Sequence, residues 1–331
     1  MIPHAAAPDF LAASGWEGAR ILPLAGDASF RRYFRVVDGG RTAVLMDAPP
    51  DKEDSRPFLQ LAEHLNRLGF AAPHALAVDL DRGLILLEDF GDDLVGPLLA
   101  RQPALEEEIY EAAIDIQVAL HEHAPPAVRA YDRSELLREV NLFTEWTLPA
   151  LGIEADVAGW EAAWDAVWGD VLAETAAAPV LVLRDYHADN LLRLPGRTGV
   201  QRLGLLDFQD GLAGHPAYDL VSLLQDARRD VRPELEGQML DRYASARGLA
   251  DPTDFRAAYE VLGAQRNVKI VGIFTRLNRR DGRGGYLERL PRVWGYLERN
   301  LQHPALGPVR TWFDAHVPAE ARAPAWERLA A

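Results

Sequence analysis

Two short apolar runs constrain this chain more than any other feature: PVLVL at 179–183, leading into Arg184 and Asp185, and RLGLL at 202–206, leading into Asp207. Apolar runs of this length, bounded by turn signals, read as buried strands. Each hands an aspartate to the end of its strand, and the turn LPGRTG lies between them. Upstream, residues from Ile21 to about Met46 read as hairpin strands: the polar turn LAGDASFRR, then YFRVV, the turn DGG and TAVLM. Phe58, Leu61, Ala62, Leu65 and Leu68 recur at helical spacing before Gly69 and Pro73, which predicts an amphipathic helix over 57–68 that packs on the sheet. The run GLILLEDFG at 83–91 reads as a buried strand ending in acidic residues and a glycine. Beyond it, stripes such as Ile109, Ala113, Ile116 and Leu120 announce helices.

The expected fold is therefore mixed α+β, with a small β-rich lobe over residues 1–91 and a larger, mainly helical lobe over 92–331. Length agrees, because 331 residues exceed the ~250 at which single cores usually stop growing. The absence of cysteine excludes disulfides, thiolate metal sites and a Cys nucleophile. A net charge of −15 argues against a nucleic-acid partner, since phosphate backbones reward clustered positive charge. The first residues lack the pattern of a signal peptide, and no apolar stretch reaches the ~18 residues of a membrane span, so a cytosolic protein away from membranes is expected. Lys52 and Lys269 are the only lysines, which limits any role that requires an ammonium group.

The chemistry concentrates in VLRDYHADNLL and LLDFQD. Asp185 follows a strand and Asn190 stands five residues on, so a tight loop can turn both side chains one way. A hairpin relation would bring Asn190 beside Asp207. One amide and one carboxylate are hard oxygen ligands suited to Mg²⁺, which completes its shell with phosphates and water. Asp185 is then left to face an acceptor. Phosphoryl transfer asks a protein for in-line positioning, charge neutralisation and a carboxylate that orients the nucleophile and takes its proton. These three side chains suffice for that.

With those residues in place, the chain resembles the aminoglycoside and choline kinase-like branch of the protein kinase superfamily. There an HGD-x-x-x-x-N loop is followed by a second metal-binding aspartate in a DF or DW motif. Asp185, Asn190 and Asp207 match, while Leu183 and Arg184 stand in the places of the histidine and glycine. Within the branch, the likeness is greatest to bacterial anomeric kinases of N-acetylmuramate and N-acetylglucosamine, the cell-wall recycling enzymes. It is carried by GDASFRRYFRV at 26–36, VLMDAPP at 44–50, LLEDFGD at 86–92, LRDYHADNLL at 183–192, LLDFQD at 205–210 and GHPAYDLVSLLQDARR at 214–229. The resemblance implies a bilobal kinase-like fold, use of ATP and Mg²⁺, and an amino-sugar substrate phosphorylated at its 1-hydroxyl. Asp185 would be catalytic, with Asn190 and Asp207 as metal ligands.

Further site expectations follow. Gly26 and Ser29, in the turn between the first strands, would lie over the triphosphate. Met46 occupies the place of the usual β3 lysine, so another base must neutralise phosphate; Arg31, Arg32 and Lys52 are candidates. Glu88, Asp89 and Phe90 resemble the hinge that receives adenine through main-chain atoms. For the sugar, the candidates are Asn141, Glu145 and Asp210, with Arg266 and Lys269 one turn apart as binders of the lactyl carboxylate. Asp219 is expected to cap a helix and brace the catalytic loop. His187 reads as a structural hydrogen-bonding group, and Trp160, Trp164 and Trp168 read as core. Two other functions fit the same sequence: a kinase of aminoglycosides or another hydroxyl-bearing small molecule, and an ATP-binding pseudokinase motivated by Met46 and the missing His-Gly pair.

Overall fold

Alternation along YFRVVD and RTAVLMD builds the first sheet. Strands β1 (Arg20–Pro23), β2 (Arg32–Asp38), β3 (Arg41–Asp47), β4 (Ala75–Asp79) and β5 (Leu84–Glu88) form an antiparallel sheet in the order β1-β2-β3-β5-β4. Because successive side chains point to opposite faces, Phe34 and Val36 of β2, Ala43 and Leu45 of β3 and Leu84 and Leu86 of β5 share one face. Cross-strand register stacks Phe34 on Leu45 and Leu45 on Leu86. The Ala7–Ala13 helix supplies Ala7, Phe10 and Leu11 to the same core, joined by Trp16. The expected helix appears as Arg56–Arg67, and Phe58 stacks its ring on Phe208 at 5.2 Å.

The computed structural model describes residues 2–24, 30–322 and 329, and the chain divides into two units. The first comprises residues 1–103 together with 190–210; the second comprises 104–189 and 211–331. This differs from the single boundary at Gly91 read from sequence. The reason is backbone pairing: Leu205 N–H donates to Ala71 O at 2.7 Å and Arg193 N–H to Asp93 O at 2.9 Å. Ala71, Leu192 and Leu194 share a small core with Phe90, Leu94 and Leu206.

The strand runs 179–183 and 202–206 do not pair with each other. Val180–Val182 (β6) pairs antiparallel with Leu212–Gly214 (β9), and Leu203–Leu205 (β8) pairs with Leu191–Arg193 (β7) across the LPGRTG turn. The sequence reading missed β7 and β9, which are three residues each and too short to show a period.

The second unit is built on helices. Its longest, Thr253–Asp281, buries residues on all sides, as a central helix must. At Gly272 it passes so close to the Arg133–Leu142 helix that a Cβ would lie 2.5 Å from the carbonyl carbon of Leu142. Trp160, Trp164 and Trp168, on the Val157–Ala177 helix, are fully buried, and Trp160 packs on Phe143 and Trp312. No described helix is long and apolar enough to cross a membrane.

Candidate active site

Strand β6 delivers the chain into a tight loop whose backbone is fastened by Asp219. Leu183 N–H donates to Asp219 Oδ2 at 2.6 Å and Arg184 N–H to Oδ1 at 2.8 Å. Asp219 lies in the first turn of the Ala217–Leu224 helix and is fully buried, so it braces the loop and makes no side-chain cap on its own helix. Burial, only partly offset by the two N–H donors, pushes its carboxyl up to about 7. Two i→i+2 bonds then tighten the turn, Asp185 N–H to Leu183 O at 2.9 Å and His187 N–H to Asp185 O at 3.1 Å.

Arg184 adopts φ 70°. Only glycine enters that left-handed conformation without a steric penalty. In this chain an arginine does so, with its guanidinium bonded to Glu139. Glu139, bonded to this loop, is a residue that sequence reasoning missed. It sits at 1% exposure on the Arg133–Leu142 helix, and its carboxylate also accepts from Lys269 Nζ at 2.8 Å, Gln265 Nε2 at 2.9 Å and the Tyr131 hydroxyl. The signal available was its spacing: Leu136, Val140 and Phe143 place position 139 on the buried face, where a carboxylate demands partners.

Asp185 keeps 44% of its side-chain surface exposed. Desolvation in the loop works against its ionisation, but Lys269, Arg266 and Arg184 together hold its carboxyl below the ordinary value. Arg266 is the nearest of these for which a distance is fixed, 3.9 Å from Asp185 Oδ1, with its Nη2 donating to Ser222 Oγ at 2.8 Å. Lys269 is not an open cation, because its ammonium is bonded to Glu139 and to Tyr218 Oη at 3.2 Å. The two bases expected to take the lactyl carboxylate are thus both buried and already bonded within the protein, Arg266 to Ser222 and Lys269 to Glu139 and Tyr218. His187 is buried, and that burial, reinforced by Arg228, keeps its imidazole well below its usual pKa and therefore neutral.

In the other unit, the β7–β8 hairpin carries Asn190 at its start and Asp207 just past its end. Leu206 N–H donates to Asn190 O at 3.0 Å, and the Asn190 amide lies 3.4 Å from Asp207 Oδ2. Asp207 also has a left-handed backbone, φ 55°, and accepts from Gln209 Nε2 at 2.7 Å. Among the described residues no group of three or more His, Asp or Glu side chains is placed to cage a metal. One carboxylate beside one amide is nevertheless the donor set of a Mg²⁺ that keeps phosphate and water in the rest of its shell, and these two residues fit it.

The nucleotide candidates fare unevenly. Gly26 and Ser29 lie outside the described residues. Met46 is fully buried in β3, opposite Tyr33 and Ile85. Arg31 pairs with Glu53 at 3.3 Å and Arg32 with the buried Asp47 at 2.7 Å, so both bases already have carboxylate partners. Lys52 is exposed beside Asp51. Glu88 bonds Arg197, Asp89 bonds Arg35 at 2.8 Å, and Phe90 lies under the Arg197 guanidinium and against Gly204, where a Cβ would come within 2.5 Å of the ring. Of the sugar candidates, Asn141 is bonded on both ends, to Glu161 and to Trp160 Nε1, whereas Glu145 and Asp210 are exposed.

Residues 20–261 match the profile of the phosphotransferase enzyme family. The chain belongs to that family. Among relatives of this phosphotransferase, a Caulobacter vibrioides protein named N-acetylmuramate/N-acetylglucosamine kinase is 40% identical, over 96% of this chain and 98% of its own. A Pseudomonas aeruginosa protein of the same name is 38% identical over 88% and 87%. Of solved structures, the choline kinase LicA from Streptococcus pneumoniae superposes with a TM-score of 0.61 at 14% identity, covering 87% of this chain and 96% of LicA. A putative aminoglycoside phosphotransferase from Ralstonia eutropha gives 0.63 at 16% identity, over 91% and 98%. These two neighbours establish the fold: a kinase-like α+β chain with an antiparallel N-terminal sheet and a larger helical region.

Proposed function

We propose that this phosphotransferase is an ATP-dependent anomeric kinase that phosphorylates the 1-hydroxyl of N-acetylmuramate and N-acetylglucosamine, acting in the cytoplasm on sugars released from peptidoglycan. The observation that carries the reading is the 40% identity to a kinase of that name across nearly the full length of both chains. Asp185, Asn190 and Asp207 supply the side chains that such a reaction requires.

Asp185 is the residue that orients the 1-hydroxyl and accepts its proton. Its lowered pKa keeps it ionised, and its exposed surface lets it meet the acceptor. As the sugar oxygen bonds to the γ-phosphorus, the bond to the ADP oxygen breaks and the hydroxyl proton passes to the Asp185 carboxylate. Asn190 and Asp207 would hold Mg²⁺, which would neutralise charge on the phosphates. Arg266, 3.9 Å from Asp185, is the candidate to hold a polar group of the sugar next to the reacting hydroxyl, and Asp210 and Glu145 are candidates for its other hydroxyls.

The test is to incubate the protein with Mg·ATP and, separately, each free sugar, the methyl glycoside of N-acetylglucosamine, kanamycin and choline. ADP release and the phosphorus NMR spectrum of the product are followed. A sugar 1-phosphate signal from both free sugars and none from the glycoside is expected. Turnover with kanamycin or choline alone would overturn the substrate, and silence with every acceptor would overturn the enzyme reading.

A further inference from the structure

We propose that Glu139 is a positioning residue for phosphoryl transfer: by gripping the guanidinium of Arg184, it holds Arg184 in the left-handed backbone conformation that aims the adjoining Asp185 at the acceptor. The proposal rests on the reading of Asp185 as the proton-accepting carboxylate.

Arg184 and Asp207 are the non-glycine residues with positive φ among the described residues; the other positions with such backbones are all glycines. A side chain at φ 70° disfavours that conformer by about tenfold or more relative to glycine, so something must select it. From the backbone side, Asp219 takes the N–H groups of Leu183 and Arg184. From the side-chain side, Glu139 takes the guanidinium, which also lies over the Tyr131 ring at 5.8 Å. Rotation of Arg184 to negative φ would turn the chain that follows and redirect Asp185.

Glu139 is built for the purpose. It is anchored independently of Arg184 by Lys269, Gln265 and Tyr131, from two other parts of the unit. Losing Arg184 therefore leaves the Glu139 carboxylate neutralised by Lys269. Losing Glu139 leaves Arg184 with the more distant Glu135, 3.9 Å away, and deprives Lys269 of its carboxylate. The loop geometry is conditional on the carboxylate in a way that it would not be with glycine at 184.

The experiment compares Arg184→Ala with Arg184→Gly, alongside Glu139→Gln, the double variant Glu139→Gln with Arg184→Gly, and Asp185→Asn. For each, kcat and the KM for ATP are measured per folded molecule, with circular dichroism and thermal melting to count the folded fraction. Alanine and glycine both delete the guanidinium and differ in their tolerance of φ 70°. The Arg184→Ala kcat is expected to fall about tenfold below that of Arg184→Gly, with KM for ATP the same within about twofold. Glu139→Gln is expected to lose kcat, and the added glycine to restore much of it. Equal kcat for alanine and glycine at 184 would overturn the proposal, and that comparison decides alone if Glu139→Gln fails to fold. So would Glu139→Gln lowering only the folded fraction. Full turnover in Asp185→Asn would instead remove the underlying reading of Asp185; an inactive Asp185→Asn with equal alanine and glycine variants would remove the role of Glu139 alone.

Discussion

At the scale of single residues, burial decides what each charge can do. Glu139, buried beside Lys269 and Arg184, shows the balance: desolvation raises its pKa, but the two cations and the Tyr131 hydroxyl overcome this and hold it at about 2. Its folded pKa is thus below that of the unfolded chain, so it binds fewer protons when folded across that interval. The stability it contributes is complete above the unfolded value of about 4.5 and is lost as pH falls towards 2. Glutamine cannot ionise, and it leaves the buried cations without their carboxylate, a change of about 3–5 kcal/mol for a broken buried pair. Urea unfolding of wild type and Glu139→Gln should therefore differ most at pH 7, and the gap should close progressively below about pH 4.5. A gap that stays constant down to pH 3 would show that the ionised carboxylate contributes no stability.

At the scale of elements, the sequence shows most clearly what is long and periodic. The β2–β3 hairpin, the Arg56–Arg67 helix, β5 and the tryptophan-bearing helix follow from alternation or helical spacing, and the two aspartates follow from the apolar runs before them. Partners that lie far away in sequence left no local trace: β9 for β6, Asp219 for the Leu183 and Arg184 amides, and Glu139 for Arg184 and Lys269. Lys269 illustrates the consequence, since its spacing to Arg266 suggested a paired anion site until the fold supplied Glu139 from another helix. Close packing was hidden in the same way. Gly272 is an ordinary helical glycine in sequence, yet the Arg133–Leu142 helix, which carries Glu139, passes directly over it. Gly272→Ala gains helix propensity but forces a methyl group against the Leu142 backbone, and overpacking of this kind costs about 1–3 kcal/mol. Denaturant unfolding is expected to report a net loss of stability, whereas a net gain would show that the two helices separate freely.

At the scale of the whole molecule, the chain crosses between its two units three times, after Pro103, Asp189 and Asp210. The unit that contains the N-terminal sheet is completed by a hairpin that arrives about ninety residues after Pro103. That hairpin brings Leu192 and Leu194 against Ala71, donates Leu205 N–H to Ala71 O, and is followed by Phe208, which stacks on Phe58. It also carries Asn190 and Asp207, so the proposed metal ligands and the completion of this core are one structural event. A fragment of residues 1–103 would expose Phe58, Ala71 and Phe90 and leave the Ala71 carbonyl without its strand partner. Such a fragment is expected to show poorly dispersed amide resonances and no cooperative thermal transition. A version in which residues 190–210 are joined to its end by a flexible linker should recover both. Cooperative unfolding of the 1–103 fragment by itself would mean that the hairpin is an accessory to this unit and that its metal ligands could be lost without loss of the fold.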